Sequence, residues 1–156
     1  MSDIMLVNGI RRMILLLILG FLAQGNVCSA GTPEITVKEQ NAVLSPMIVS
    51  AGAAFMTIVN AVSGDDTLVN ARTDMAGTIV ELHDFKDGKM IRAEEITIPA
   101  KSTVSLRPGG LHVMIFNMPK SVKDGHTFAM TLVFKKSGEV TRQFRFITQQ
   151  SPSSHH

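Results

Sequence analysis

Cysteine, tryptophan and tyrosine are almost or wholly missing from this 156-residue chain, which has one cysteine, Cys28, and neither Trp nor Tyr. A single thiol excludes an internal disulfide and any metal site built on several cysteines. Without Trp or Tyr the chain lacks the best platforms for stacking bases or sugars. A concentrated basic patch is missing too. Lys and Arg number 15 against 13 Asp and Glu, a formal net charge of +2, and no stretch gathers enough cations to meet a run of phosphates. No helical apolar period continues beyond a couple of turns after the first thirty residues, and no internal repeat is visible.

The first thirty residues have the order of a secretory leader. Arg11 and Arg12 precede an apolar run from Met13 to Ala23, and a more polar stretch then ends in Cys28-Ser29-Ala30 before Gly31. The apolar run is short for a bilayer span and is followed by small residues at a plausible cleavage point, so residues 1–30 are expected to be a signal peptide and the mature chain to begin near Gly31. An uncleaved anchor is the bland alternative. Lipidation of Cys28 is disfavoured because Val27 stands where a small residue normally precedes a lipidated cysteine. Cleavage after Ala30 removes Cys28 together with Arg11, Arg12 and Asp3, which lowers the net charge from +2 to +1. The expected mature protein is periplasmic, has no thiol and has no membrane attachment. Any soft metal would then be held by Met and His.

Residues 31–148 carry many short strand signals. Glu34 to Lys38 reads as a short strand, and Ser45-Pro46 marks a turn. Gly52 to Asn60, Thr67 to Arg72, Thr78 to Phe85, Met90 to Glu95, Ile96 to Ile98, Thr103 to Leu106, His112 to Met118, Phe128 to Lys135 and Glu139 to Ile147 read as further strands. Turn clusters rich in Gly, Pro and Asp separate them. This spacing predicts one all-β domain, a sandwich or Greek-key barrel. Gln149 to His156 is polar, contains Pro and Ser, and is expected to be a disordered tail.

Within that domain the segment Leu106 to Met114, LRPGGLHVM, ends in a His-x-Met pair. On a strand, His112 and Met114 project from the same face. An imidazole beside a thioether is a soft, uncharged donor pair that suits monovalent copper better than magnesium, calcium or manganese. Upstream lie His83 and Met90, giving His-x6-Met-x21-His-x-Met. Lys86-Asp87-Gly88-Lys89 predicts a two-residue type I′ hairpin turn. That register pairs Phe85 with Met90 and His83 with Arg92, so His83 and Met90 are diagonal neighbours on one face, roughly 7–8 Å apart at the backbone. Core packing is the ordinary role of a strand methionine, and it is the reading kept for Met56, Met118 and Met130. His126, beside Gly125, is read as a turn or surface residue.

From about Val49 to Ile147 the chain resembles the periplasmic PCuAC-type copper chaperones. The resemblance rests on Met90, the twenty-one residues after it, His112 and Met114, set within IPAKSTVSLRPGGLHVMIF, and on the run Ala54-Phe55-Met56-Thr57-Ile58 with Leu132 and Phe134. It implies a cupredoxin-like Greek-key β-sandwich that binds one Cu(I) through His83, Met90, His112 and Met114. The protein would be a monomeric carrier and not an enzyme, delivering copper to a recipient such as the CuA subunit of cytochrome c oxidase or a Sco-type thiol protein. The sequence departs from the family pattern in placing Asp84 where an optional Met follows the first His, and in shortening the interval between His83 and Met90. The competing readings are an exported structural or adhesive sandwich without metal and, less well supported, a copper enzyme.

Overall fold

Alternation of apolar and polar residues gives most segments of this chain two unlike faces. The structure, a computed structural model, arranges ten strands of residues 35–148 in two antiparallel sheets. The leader expected at 1–30, residues 31–34 and the tail expected at 149–156, with His155 and His156, lie outside the described residues. One sheet runs in the order β1 (Ile35–Leu44), β2 (Gly52–Asn60), β8 (His112–Phe116), β4 (Ile79–Lys86) and β5 (Lys89–Arg92), with β7 (Ser102–Leu106) also paired to β2. The other runs β10 (Gly138–Arg145), β9 (Thr127–Phe134), β3 (Asp66–Thr73) and β6 (Ile96–Ile98). The chain crosses repeatedly between the sheets, as in an all-β sandwich.

Inward residues of both sheets form one core. Ala54, Met56 and Ile58 of β2, Leu82 of β4, and Val113 and Ile115 of β8 join Leu68 of β3, Ile96 and Ile98 of β6, and Phe128, Met130, Leu132 and Phe134 of β9. Phe128 stacks on Phe144 and Phe146 with ring centroids 5.7 and 5.0 Å apart. Truncating one such ring costs about 3–5 kcal/mol. Met56, Met118 and Met130 are buried in this core, as their sequence context predicts.

Three local features set the strands that matter below. Asp87 and Gly88 both have positive φ, 51° and 73°, and the β4–β5 register pairs Lys86 with Lys89, Phe85 with Met90, Asp84 with Ile91 and His83 with Arg92. This is the hairpin predicted from Asp-Gly. β1 is longer than the short strand expected at 34–38, because a bulge between Lys38 and Asn41, with Glu39 at φ 54°, interrupts the alternation without ending the strand. At the start of β2, a Cβ on Gly52 would lie 2.8 Å from both the Phe146 ring and the Val43 carbonyl, so only glycine admits this close approach.

The buried polar side chains away from the histidines, Asp66 of the second sheet and Asn60 at the end of β2, are hydrogen-bonded. Asp66 Oδ1 accepts hydrogen bonds from the N–H groups of Thr67 (2.7 Å) and Lys136 (2.9 Å), and Oδ2 accepts one from Ser137 (2.9 Å). They tie the start of β3 to the β9–β10 turn. Burial alone would push the Asp66 carboxyl up, but hydrogen bonds from the Ser137 side chain and these backbone N–H groups hold it below the ordinary carboxylate value. Asn60 is likewise satisfied: it donates to the Gly64 and Ile98 carbonyls and accepts from Val62.

Candidate metal centre

β8 lies between β2 and β4 in the first sheet, and its pairing brings the two halves of the motif together. His112 pairs with His83 and Met114 with Glu81, so all four side chains share one face of adjacent strands. The neighbouring hairpin adds Met90 opposite Phe85. Val113 and Ile115 point the other way, into the core. In an antiparallel sandwich the outward residues usually face water, yet His112 and Met114 are only 5% and 4% exposed. Loop residues Leu44 to Ile48, Phe55 of β2, Phe85 and Met90 of the hairpin and the Pro108-Gly109 turn line the cavity beside them. Its volume is about 290 Å³, and Met90, His112 and Met114 supply its soft donors.

The turn before β8 is built to present His112. Gly109 has φ 76°, the Arg107 N–H bonds the Leu111 carbonyl at 2.8 Å, and the Gly110 N–H bonds the Arg107 carbonyl at 3.1 Å. The Gly110 carbonyl in turn accepts from His112 Nδ1 at 2.7 Å. A carbonyl can only accept, so Nδ1 carries the proton and Nε2 of the neutral ring keeps a lone pair.

His83 is arranged the opposite way round. Its Nε2 lies 2.9 Å from Glu81 Oε2, and the other Glu81 oxygen pairs with Arg92 at 3.2 Å. The hydrogen bond from His83, more than the nearby Arg92 guanidinium, keeps the Glu81 carboxyl below its ordinary value against the opposing effect of burial. With the proton on Nε2, Nδ1 of a neutral His83 has a free lone pair. That nitrogen is buried and has no hydrogen-bond partner. The His83 and His112 rings lie 5.7 Å apart, and Phe55 and Phe116 approach them at 6.3 and 6.1 Å. Each imidazole therefore gives one nitrogen to a carboxylate or carbonyl and leaves the other bare, as metal-binding histidines do.

The four residues singled out by sequence thus form one neighbourhood, though unequally. Met90, His112 and Met114 line the cavity, whereas His83 joins through its pairing and ring contact with His112. Met90 is 48% exposed at the mouth, while both histidines and Met114 are buried. Sequence reasoning missed Glu81. Its signal was strand alternation, which puts residues 81 and 83 on one face. It also missed Met47, which lines the same cavity.

The donor set decides which metals fit. Among the described residues no group of three or more His, Cys, Asp or Glu side chains is placed to hold an ion, so a site here needs thioether sulfur. Two imidazoles and two thioethers, all neutral, favour a soft monovalent ion over hard divalent cations. A larger open groove of about 1040 Å³, bordered by Glu39, Arg107, Asp124 and Arg145, contains no histidine.

Comparison with known proteins gives a family and a fold. Residues 35–145 match the family described as "Putative lipoprotein LpqE-like". A curated protein of Leifsonia xyli subsp. xyli, "Putative lipoprotein Lxx21020", is 34% identical over 87 residues, 53% of this chain and 52% of the relative. The match therefore spans about half the length of that relative. Among solved structures, the copper-bound PCuAC domain from PmoF2 superposes with a TM-score of 0.63 at 26% identity, covering 74% of this chain and 93% of that one. The solution structure of Cu(I)-bound DR1885 from Deinococcus radiodurans gives 0.60 at 26% identity, covering 77% and 84%. The cupredoxin-like sandwich expected from the sequence is the fold observed.

Proposed function

Since this chain belongs to the LpqE-like family and has the fold of PCuAC domains, we propose that it is an exported copper chaperone that binds one Cu(I) through His83, Met90, His112 and Met114. The observation that carries the reading is the bare, buried Nδ1 of His83 beside a His112 ring whose Nε2 is also free. A buried nitrogen without a partner costs about 1–3 kcal/mol, a cost that a bound ion removes. Nδ1 of His83, Nε2 of His112 and the sulfurs of Met114 and Met90 supply four neutral donors. Glu81 and the Gly110 carbonyl hold the two rings in the tautomers this requires.

Delivery follows from the placement of those donors. Met114 and the histidines form a buried inner set, and Met90, half-exposed, forms the outer side. Neutral ligands exchange without proton transfer, and copper stays Cu(I) throughout, so the reading is of a carrier and not a catalyst. The recipient proposed is a copper acceptor such as the CuA subunit of cytochrome c oxidase or a Sco-type thiol protein, and the carrier is proposed to act as a monomer. Export to the cell envelope is supported by the Arg-Arg leader and by the lipoprotein description of the family. Cleavage after Ala30 gives a soluble periplasmic protein, whereas lipid on Cys28 gives a tethered one, and intact mass distinguishes them.

The direct test is an anaerobic Cu(I) titration followed by X-ray absorption. Saturable 1:1 binding with mixed nitrogen and sulfur ligation is expected. Failure to bind Cu(I) stoichiometrically would leave a structural or adhesive sandwich as the better account.

A further inference from the structure

The β1–β2 loop presents a methionine for which the core has no use. Met47 is 89% exposed, although thioether side chains ordinarily fill interior gaps. Its backbone is nevertheless held. Ser45 Oγ accepts hydrogen bonds from the N–H groups of Met47 (3.3 Å) and Ile48 (3.0 Å), the Ser45 N–H bonds the Ala51 carbonyl at 2.9 Å, and the Ser50 carbonyl accepts from Met118 at 2.9 Å. Met47 thus stands on a pinned loop at the border of the cavity that Met90, His112 and Met114 also line. No carboxylate or ammonium group lines that cavity. Water there competes poorly for a soft cation, so an added thioether is a useful donor.

We propose that Met47 is a further copper-binding side chain, an exposed thioether at the cavity mouth that captures Cu(I) and stays bound to it while an inner donor is exchanged. The inference rests on the copper reading above and extends it to a residue outside the four proposed ligands. During loading, a Cu–S bond to Met47 forms before those to the buried His83, His112 and Met114. During release, Met47 and Met90 hold the ion while the acceptor's first ligand displaces an inner donor. Exchange among this protein's own Met and His donors replaces one neutral donor by another with no change of oxidation state and no proton moved, while a thiol of the acceptor gives its proton to solvent as its thiolate takes the ion.

The exported protein, labelled with [methyl-13C]methionine and titrated anaerobically with Cu(I), tests this directly. The Met47 methyl signal is expected to shift saturably along with those of Met90 and Met114, while Met56 and Met130 stay still. In a stopped-flow transfer to a small Cu(I) chelator, Met47→Leu is expected to slow release several-fold and to lower affinity by about fivefold. The Leu variant keeps the apolar surface and removes only the sulfur. A stationary Met47 signal beside shifting Met90 and Met114 signals would overturn the Met47 role and leave the four-ligand reading intact. Unmodified rates in Met47→Leu with impaired protein-to-protein transfer in Met47→Ser would make the loop an apolar contact only, which also overturns it. If Met90 and Met114 do not shift, the copper reading itself fails, and this inference with it.

Discussion

Asp66 in the second sheet and His83 in the first are both buried polar residues, 3% and 9% exposed, but their surroundings treat them differently. Both Asp66 oxygens are taken up by backbone N–H groups that join the start of β3 to the β9–β10 turn. His83 has one nitrogen anchored on Glu81 and the other bare. A saturated cluster holds the fold together, because removing its centre strands several donors at once. An unsaturated one weakens the fold and keeps a lone pair available. Burial alone does not separate these two residues, whereas unfilled hydrogen-bond capacity does.

The sharpest way to break this contrast is to exchange the two outcomes. His83→Leu removes the bare nitrogen and fills its place with carbon. It is expected to lower Cu(I) affinity by about 100-fold, equivalent to about 2.8 kcal/mol, while the metal-free protein melts at the same or a higher temperature. A collapse of the metal-free fold in that variant would show that His83 is structural. Asp66→Ala should do the reverse, costing about 1–3 kcal/mol in denaturant unfolding with Cu(I) affinity unchanged. Asp66 also has a pH signature. Its folded value is depressed, so its stabilisation is fully present above the ordinary carboxylate value and is lost as pH falls through the lowered folded value. Urea titrations across the acid range should find that slope reduced in Asp66→Asn.

Two smaller substitutions sharpen the comparison within the site. Met114→Leu keeps volume and apolarity, so it should cost under about 1.5 kcal/mol of stability, yet lose at least about tenfold in Cu(I) affinity, or about 1.4 kcal/mol. Glu81→Gln has the smallest expected effect. The Gln carbonyl can still accept from His83 Nε2, so affinity should fall by only about threefold, below the 10–100-fold typical of losing an outer-shell partner. Glu81→Leu, which removes the acceptor, should fall within that larger range. Nitrogen-15 spectra of the His83 ring would then report mixed tautomers. An unchanged ring in Glu81→Leu would mean that packing, not the carboxylate, sets the proton.

Much of this site was legible in the sequence where chemistry acts over a few residues. Asp87-Gly88 admits so few turns that the pairing of Phe85 with Met90 and His83 with Arg92 followed from it, and the structure has that register. His112 and Met114 share a face by strand alternation alone. The pairing of His83 with His112 did not follow in this way. It joins strands separated by three others and a change of sheet, and the interval between them encodes no register, so only the family resemblance pointed to it. The cover over His112 and Met114 was hidden for the same reason, since it comes partly from the distant loop at 44–48. β1 was under-read because the bulge at Glu39 puts Ile35 and Val37 out of phase with Ala42. Glu81 was available by alternation, but an acidic residue on a strand ordinarily means only solvent.

The position of β5 has a further consequence for how cargo leaves. It is the edge strand of its sheet, four residues long, exposed throughout and paired only to β4. Such an edge can detach and re-form through a sub-global opening that leaves the core intact. Met90 therefore sits on a short strand held along one side only, while His112 and Met114 sit on a strand paired on both sides. Amide hydrogens of residues 89–92 should exchange much faster than those of 112–116, and bound Cu(I) should slow the former selectively. Unloading would then be timed by the fraying of one short hairpin arm, with the remainder of the sandwich acting as a fixed abutment.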